Sequence, residues 1–350
     1  MKISAYAAAA AKVPLAPHAI ERREPGPHEV LIDIRYCGVC HSDLHQVRDE
    51  WGGSIFPMVP GHEIVGHVAK VGAHVARFKV GDTVGVGCFI DSCRECEQCK
   101  TGEEQFCEQG MTGTYNAYER GTQTPTYGGY STRITVNEDY VLRVPESIPL
   151  DRAAPLLCAG ITTYSPLRHY GLKKGDKLAV VGLGGLGHMA VKFGRAMGAE
   201  VTVLSTSESK REAALELGAH AFAVMRDKED FKALSKRFDF IIDSVSAPHD
   251  YNAYLSLLKT DGIMVLLGIP ERPVPLAAGS LVTQRRKLGG SMIGGIRETQ
   301  EMLDFCAEHG IASDIELIDI ADINEAYERM LKGDVRYRFV IDTTTLPEPA

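Results

Sequence analysis

The chain has 350 residues, 44% of them hydrophobic and 24% charged, which is the composition of a globular protein of roughly two to three domains. A formal net charge of −8 argues against nucleic acid or an anionic membrane as partner, and no apolar run reaches the roughly 18 residues that a bilayer span needs. Nine cysteines, an odd number in a chain large enough to fold without staples, point to reduced thiols and a cytoplasmic setting.

The N-terminus carries one lysine and then an alanine run, a faint outline of a secretory signal. Alanine is only weakly apolar and Lys12 interrupts the run, so the segment reads as a first strand and its turn. Up to about residue 155 the chain is rich in Gly, Pro and short β-branched runs. Val30–Arg35, Glu63–Val68 and Gly81–Val86 read as strands of a β-rich barrel or sandwich. From Lys177 the texture changes to strand–helix alternation. Strands are expected at Lys177–Val181, Val201–Ser205, Ala221–Val224, Phe238–Asp243 and Ile263–Leu267. Helices are expected at Gly185–Met197 and Glu208–Leu217. This is the pattern of a doubly wound parallel sheet. The tail returns to two amphipathic helices, Glu298–Glu308 and Ile323–Leu331, and a last strand, Tyr337–Asp342.

Cys93, Cys96, Cys99 and Cys107 lie within fifteen residues, spaced C-x2-C-x2-C-x7-C. One charged loop can wrap four such thiolates around a single ion. Four neighbouring free thiols without a metal would be an oxidation liability. An iron–sulfur cluster uses similar runs, but no second electron-transfer signature accompanies this one, so the loop reads as a structural zinc site. A second group of candidates is scattered: Cys40-His-Ser-Asp-Leu-His45, Gly61-His-Glu63 and Cys158. Taken singly, each cysteine could be a buried small hydrophobe and each histidine a satisfied surface residue.

The strand before Gly182-Leu-Gly-Gly-Leu-Gly187 and the helix after it supply the context that a G-x-G-x-x-G motif requires. Gly182 makes the tight turn. Gly184 lets the backbone approach a pyrophosphate, Gly187 packs helix against strand, and Gly185 and Leu186 complete the loop at a helix N-terminus. An NAD site wants a carboxylate at the end of the second strand. Here the strand ends in Ser205, Thr206 and Ser207, with Lys210 and Arg211 one turn later, and Glu200 lies at the wrong end of the strand. Hydroxyls and a cation in place of an acid favour NADP(H), although Ser207 could also simply cap the following helix.

Taken together, these motifs resemble the zinc-containing medium-chain alcohol dehydrogenases, in particular the cinnamyl alcohol dehydrogenase and NADPH-dependent aldehyde reductase branch. Cys37-Gly-Val-Cys-His-Ser-Asp43, Val59-Pro-Gly-His-Glu63, the four-cysteine loop and Tyr127-Gly-Gly-Tyr130 carry the resemblance. So do Cys158-Ala-Gly-Ile-Thr162-Thr-Tyr-Ser-Pro166, Gly182-Leu-Gly-Gly-Leu-Gly-His188 and Tyr337-Arg-Phe-Val340, so that nearly the whole chain is covered.

The resemblance implies an α/β protein in which a Rossmann cofactor domain, 158–295, is inserted into a β-rich, GroES-like catalytic domain, 1–157 and 296–350. It implies catalytic zinc ligands at Cys40, His62 and Cys158 with the fourth position open. Glu63 would stand beside that metal, Asp43 would orient the ligand histidine, and Ser42 and His45 would relay a proton. Thr162 would lie near the nicotinamide, Ser205, Thr206 and Lys210 at the 2'-phosphate, and Trp51 in the substrate pocket. Substrate would meet both groups in the cleft between the domains.

The implied reaction is reversible reduction of aromatic or aliphatic aldehydes to primary alcohols, with two zinc ions and NADP(H), in a cytoplasmic and possibly homodimeric enzyme. Polyol or secondary-alcohol chemistry, and a non-catalytic NADP sensor, are the rival readings. The plant members place a bulky tryptophan just after the structural-zinc loop, where this chain reads Met111-Thr-Gly-Thr-Tyr115. A different pocket is therefore expected around Gly113. Cys37, Cys88 and Cys306 read as buried thiols without a role.

Overall fold

In the computed structural model, which describes residues 1–348, the apolar stretch from Val30 to Ile34 lies within a ten-residue strand, Glu29–Gly38. That strand organises a seven-stranded sheet. It pairs antiparallel with Ile64–Val71, with Arg133–Asn137 and, at its far end, with Arg338–Asp342. Irregularities at Leu31/Ile32 and Ile34/Tyr36 let one strand change neighbours along its length, as bulges do. Thr83–Val86 and Leu142–Arg143 extend one side, and Ile315–Asp319 extends the other in parallel. The alanine-rich N-terminus forms strand Lys2–Ala7, paired with Ala16–Glu21, as the strand-and-turn reading expects. Tyr130, Ile32, Ile64, Ile134, Leu156, Leu157 and Phe339 are fully buried in this unit. No helix among the described residues is long and apolar enough to cross a membrane.

The alternating segment gives a six-stranded, all-parallel sheet. Its spatial order is Ala221–Val224, Glu200–Ser205, Lys177–Val181, Phe238–Asp243, Leu258–Leu266 and Lys287–Gly290. The strand order reverses between Lys177–Val181 and Phe238–Asp243, which is where doubly wound sheets hold ligands at their carboxyl ends. Ala179, Val181, Leu204, Phe238, Ile241, Leu255 and Met264 form its core. A side chain of this size contributes about 1.5–3 kcal/mol when fully buried.

Two boundaries differ from the sequence reading. The chain divides into Met1–Ile161 with Gly294–Ala350, and Thr162–Ile293, rather than at 157/158 and 295/296. Cys158 therefore belongs with the first unit, because the tight helical turn Ala154–Leu157 that carries it packs on that unit's strands. The single helix expected over Glu208–Leu217 is a 3₁₀ turn, Glu208–Lys210, followed by an α-helix, Arg211–Glu216. Its first turn closes on the Ser207 carbonyl, to which the Lys210 amide donates at 3.4 Å.

Candidate functional site

Cys40 follows the long strand by two residues and caps the seven-residue helix His41–Val47, with extended backbone at φ −116° and ψ 153°. His62 follows Gly61, whose φ of +103° is open to glycine; a Cβ there would fall 2.7 Å from the Tyr130 ring and 2.8 Å from the Cys37 sulfur. Cys158 lies between the 3₁₀ turn Ala154–Leu157 and helix Ala159–His169. These three elements bring Cys40, His62, Glu63 and Cys158 together. All four are buried, and their ligand atoms lie within 4.8 Å of one another.

The donor set suits zinc. Two thiolates about 2.3 Å from one tetrahedral ion stand about 3.8 Å apart. The sulfurs of Cys40 and Cys158 are 3.9 Å apart, and those of Cys93 and Cys99 are 3.8 Å apart. The Cys158 thiol shares its proton with Cys40, which holds Cys40 well below the usual thiol range and Cys158 well above it. A divalent cation takes the place of such a shared proton.

Asp43 fixes the histidine. It is fully buried and collects four donors: the Cys40 amide at 2.9 Å, the Gly61 amide at 3.1 Å, His62 Nδ1 at 3.0 Å and the Tyr130 hydroxyl at 3.4 Å. With Nδ1 committed, the Nε2 lone pair is the one left for a metal. Burial is the largest influence and opposes a charged His62, but the charge and hydrogen bond of Asp43, together with the thiols of Cys88 and Cys40, outweigh it and raise the imidazole well above its ordinary range. The Tyr115 ring stacks on His62 at 5.8 Å.

Glu63 is also fully buried, and Arg338, itself buried, donates from Nη2 to Glu63 Oε1. Glu63 Oε2 has no hydrogen-bond partner among the described residues. Burial is the largest influence on this carboxyl and pushes it up to about 7, with the Arg338 charge acting against it. A buried carboxylate with one orphaned oxygen, in a group that also gathers two thiols and an imidazole, is what an absent cation would explain.

Ser42 and His45 are three apart on one helix and share a face. Ser42 Oγ lies 3.7 Å from the Cys40 sulfur, next to the ligand set. The side chain of His45 is 27% exposed, its Nδ1 meets Glu50 Oε2 at 2.5 Å, and its ring stacks on the half-exposed Trp51 at 4.9 Å. Thr162 is buried and opens the second unit, one helical turn beyond Cys158.

In the four-cysteine loop, Cys96 caps a short helix, Glu97–Thr101, which ends at Gly102 with φ +84°. Cys107 closes the loop after the 3₁₀ turn Glu104–Phe106. The Cys93 amide donates to the Cys107 sulfur, and the Cys96 amide donates to the Cys93 sulfur, each at 3.3 Å. All nine cysteines are free, and the ligand atoms of these four also lie within 4.8 Å of one another.

The glycine loop sits at the carboxyl end of strand Lys177–Val181, and Gly182 has φ +86°. A Cβ on Gly187 would fall 2.2 Å from the Gly182 carbonyl, so helix Gly187–Ala196 packs at a distance only glycine allows. A Cβ on Gly184 would meet no heavy atom within 4 Å, which leaves open the cradle that a pyrophosphate needs. Beyond the next strand, Ser207 does not cap the turn after it. Its amide donates to Ser205 Oγ at 3.2 Å, and its hydroxyl meets Ser209 at 2.8 Å. Ser205, Thr206 and Ser207 thus present hydroxyls at the strand end, with Lys210 half-buried beside them.

Sequence reasoning missed Glu50, Arg338, Tyr115 and Tyr130 as members of these sites. Arg338, Tyr130 and Tyr115 fall inside stretches that the sequence reading singled out but had no role attached. Nothing in the spacing marks Glu50.

Residues 26–146 match the family described as alcohol dehydrogenase GroES-like domain, and residues 185–308 match that described as zinc-binding dehydrogenase. The chain is 60% identical over 345 residues to NADP-dependent alcohol dehydrogenase C 1 of Mycolicibacterium smegmatis, covering 98% of this chain and 99% of that protein. It is 56% identical to the aldehyde reductase YahK of Escherichia coli, covering 99% and 100%. Its fold superposes on the solved cinnamyl alcohol dehydrogenase SbCAD4 of Sorghum bicolor with a TM-score of 0.97, at 47% identity and full coverage of both chains.

Proposed function

The chain belongs to the zinc-binding alcohol dehydrogenase family, and from that premise we propose that it is an NADP(H)-dependent aldehyde reductase, reversible as an alcohol dehydrogenase. Its substrates are small aromatic or aliphatic aldehydes and the corresponding primary alcohols. The observation that carries this reading is the buried set Cys40, His62 and Cys158, oriented by Asp43. These three residues would hold a zinc ion that would supply Lewis-acid polarisation of a carbonyl oxygen, and a cofactor held at the glycine loop would supply the hydride.

The protein's own residues do the rest. Cys40 and Cys158 furnish two thiolates, and Asp43 holds His62 in the tautomer whose Nε2 is free. Arg338 occupies one oxygen of Glu63 and secures the carboxylate at the ligand set, as a negative group close to where a cation would sit. Cys93, Cys96, Cys99 and Cys107 hold a second zinc that is structural. Reduction of an aldehyde also consumes a proton at oxygen. Ser42 holds that proton next to the ligand set, and His45, partly exposed and paired with Glu50, replenishes it from water. The glycine loop binds the pyrophosphate, and Thr162 lies toward the nicotinamide. Ser205, Thr206, Ser207 and Lys210 read the 2'-phosphate.

Gly113 is followed by Tyr115, whose ring stacks on His62, so an aromatic group other than tryptophan lines this side. Trp51 lies beside His45 on the substrate's approach. Reduced thiols at both metal sites suit the cytoplasm. Among the described residues, strand Lys287–Gly290 is an unpaired sheet edge, which suits a homodimer.

A panel of aromatic and aliphatic aldehydes and of ketones with NADPH and NADH, and of primary alcohols and polyols with NADP+ and NAD+, tests the assignment. Aldehyde-dependent oxidation of NADPH, lost on zinc removal and restored by zinc, is the expected result. Turnover of ketones or polyols only, or none in zinc-replete protein, would overturn it.

A further inference from the structure

Three cations surround the strand end that carries Ser205, Thr206 and Ser207: Lys210, Arg211 and Arg226. They are not equally available. Arg211 is occupied three ways. It makes a two-pronged ion pair with Glu208, with Nη2 to Oε2 at 3.0 Å, donates from Nη1 to the Phe222 carbonyl at 3.2 Å, and lies 4.9 Å over the Phe222 ring.

Arg226 is placed differently. The neighbouring strand Ala221–Val224 runs parallel to Glu200–Ser205, with Val224 opposite Ser205. The Met225 amide then donates to the Ser205 carbonyl at 2.8 Å, so the chain leaves the sheet at Arg226 directly beside the serine–threonine turn. The Arg226 amide donates to Asp230 Oδ2 at 2.8 Å, which secures its backbone. Its side chain is exposed, and its guanidinium makes no hydrogen bond or ion pair among the described residues. Together with Glu208, Arg211, Met225, Asp230 and Leu234 it lines a cavity of about 480 Å³. In that wall the Glu208 carboxylate is paired with Arg211, and Asp230, whose Oδ2 is held by the Arg226 and Asp227 amides, also feels the Arg226 charge, so Arg226 is the cation there whose guanidinium has no direct hydrogen-bond partner among the described residues.

We infer that Arg226 is a further specificity residue of the cofactor site, contacting the 2'-phosphate together with Lys210, while the Glu208–Arg211 pair withholds Arg211 from that contact. The inference rests on the NADP(H) reading. It adds that discrimination between the two cofactors comes from two strands, not from the Ser205–Lys210 turn alone. A planar guanidinium that is not otherwise bonded suits a phosphate's paired oxygens better than an ammonium does.

The test is direct binding of NADPH and NADH to the zinc-loaded full-length protein, followed by nicotinamide fluorescence, for wild type, Arg226→Ala, Arg226→Lys, Glu208→Gln and the double variant Arg226→Ala/Glu208→Gln. Loss of one charge-assisted contact weakens NADPH binding about ten- to a hundredfold in Arg226→Ala. NADH binding, which lacks the phosphate, stays within about twofold and shows that the fold is intact. Arg226→Lys retains part of the preference. Glu208→Gln releases Arg211 and restores part of it to the double variant.

Equal weakening of both cofactors in Arg226→Ala, or no change in either, would overturn the role of Arg226. No recovery in the double variant would overturn the withholding of Arg211. Wild type binding NADH as tightly as NADPH would instead overturn the NADP(H) reading itself, and this inference with it.

Discussion

Asp43→Asn probes the one buried carboxylate that ties the catalytic ligands together. Asp43 Oδ1 accepts from the Gly61 amide and His62 Nδ1, and Oδ2 accepts from the Cys40 amide and the Tyr130 hydroxyl. An asparagine must turn its NH2 toward one of these pairs. The less costly choice is the Oδ2 side, where the Tyr130 hydroxyl can rotate and accept, so that only the Cys40 amide is orphaned. A buried donor left unpaired costs about 1–3 kcal/mol. His62 meanwhile exchanges a charged acceptor for a neutral one about half as strong. Loss of a metal ligand's outer partner typically costs ten- to a hundredfold in metal affinity, or about 1.4–2.8 kcal/mol. Competition with a chromophoric chelator should therefore show one zinc released about ten- to a hundredfold more readily in Asp43→Asn. The second zinc and NADPH affinity should be unchanged. A variant that holds both zinc ions as tightly as wild type would refute the reasoning, because the orientation of His62 would then not depend on Asp43.

Cys99→Ala should lose the other zinc and about 1–3 kcal/mol of stability, measured by elemental analysis and denaturant titration, before chemistry is touched. His45→Gln should lower turnover roughly tenfold to a hundredfold and alter the pH profile, since water replaces a relay only in part; an unchanged profile would remove His45 from the proton path. A further prediction concerns His249, whose Nε2 lies 2.7 Å from the buried Asp243 and whose Nδ1 lies 2.8 Å from the Ala247 carbonyl. Burial opposes its charge, but the bond to Asp243 raises its pKa above the unfolded value of about 6.5. The pair's stabilisation is therefore fully present below about 6.5 and is lost as pH rises through the higher folded value. His249→Gln should cost about 1 kcal/mol at pH 5.5 and less at pH 9, and equal losses in melting temperature at both would contradict the assignment.

Much of this site could be read from residue order because its informative parts are local. The four cysteines fall in one loop, the glycine loop is contiguous with its strand and helix, and Cys40, Ser42, Asp43 and His45 share one short segment. Most strands of both sheets were visible as short apolar runs, but Arg133–Asn137, Leu142–Arg143, Ile315–Asp319 and the edge strand Lys287–Gly290, whose Lys-Leu-Gly-Gly has no β-branched residue, were not. What stayed hidden is long-range or lacks periodicity. Arg338 meets Glu63 across 275 positions, a pairing set by the two strands that flank Glu29–Gly38 and not by spacing. Glu50 lies five residues after His45, beyond the end of its helix, where no helical face predicts a contact. Helix Ala159–His169 contains Gly160, three β-branched residues and Pro166, a composition that argues against a helix. It forms because that segment is buried almost throughout, and it also moves the unit boundary past Cys158. The turn at Ser207 has the residue type of a cap, yet its side chain bonds Ser209 instead.

The central claim is that two separate zinc sites exist and that only the one formed by Cys40, His62 and Cys158 runs the chemistry. Zinc content, NADPH binding and aldehyde reduction measured together on wild type and Cys158→Ala test it most directly. The account predicts two zinc ions per subunit in wild type. It predicts about one in Cys158→Ala, with NADPH bound as before and reduction abolished. A Cys158→Ala protein that still reduces aldehydes, or a wild type with a single zinc, would contradict it.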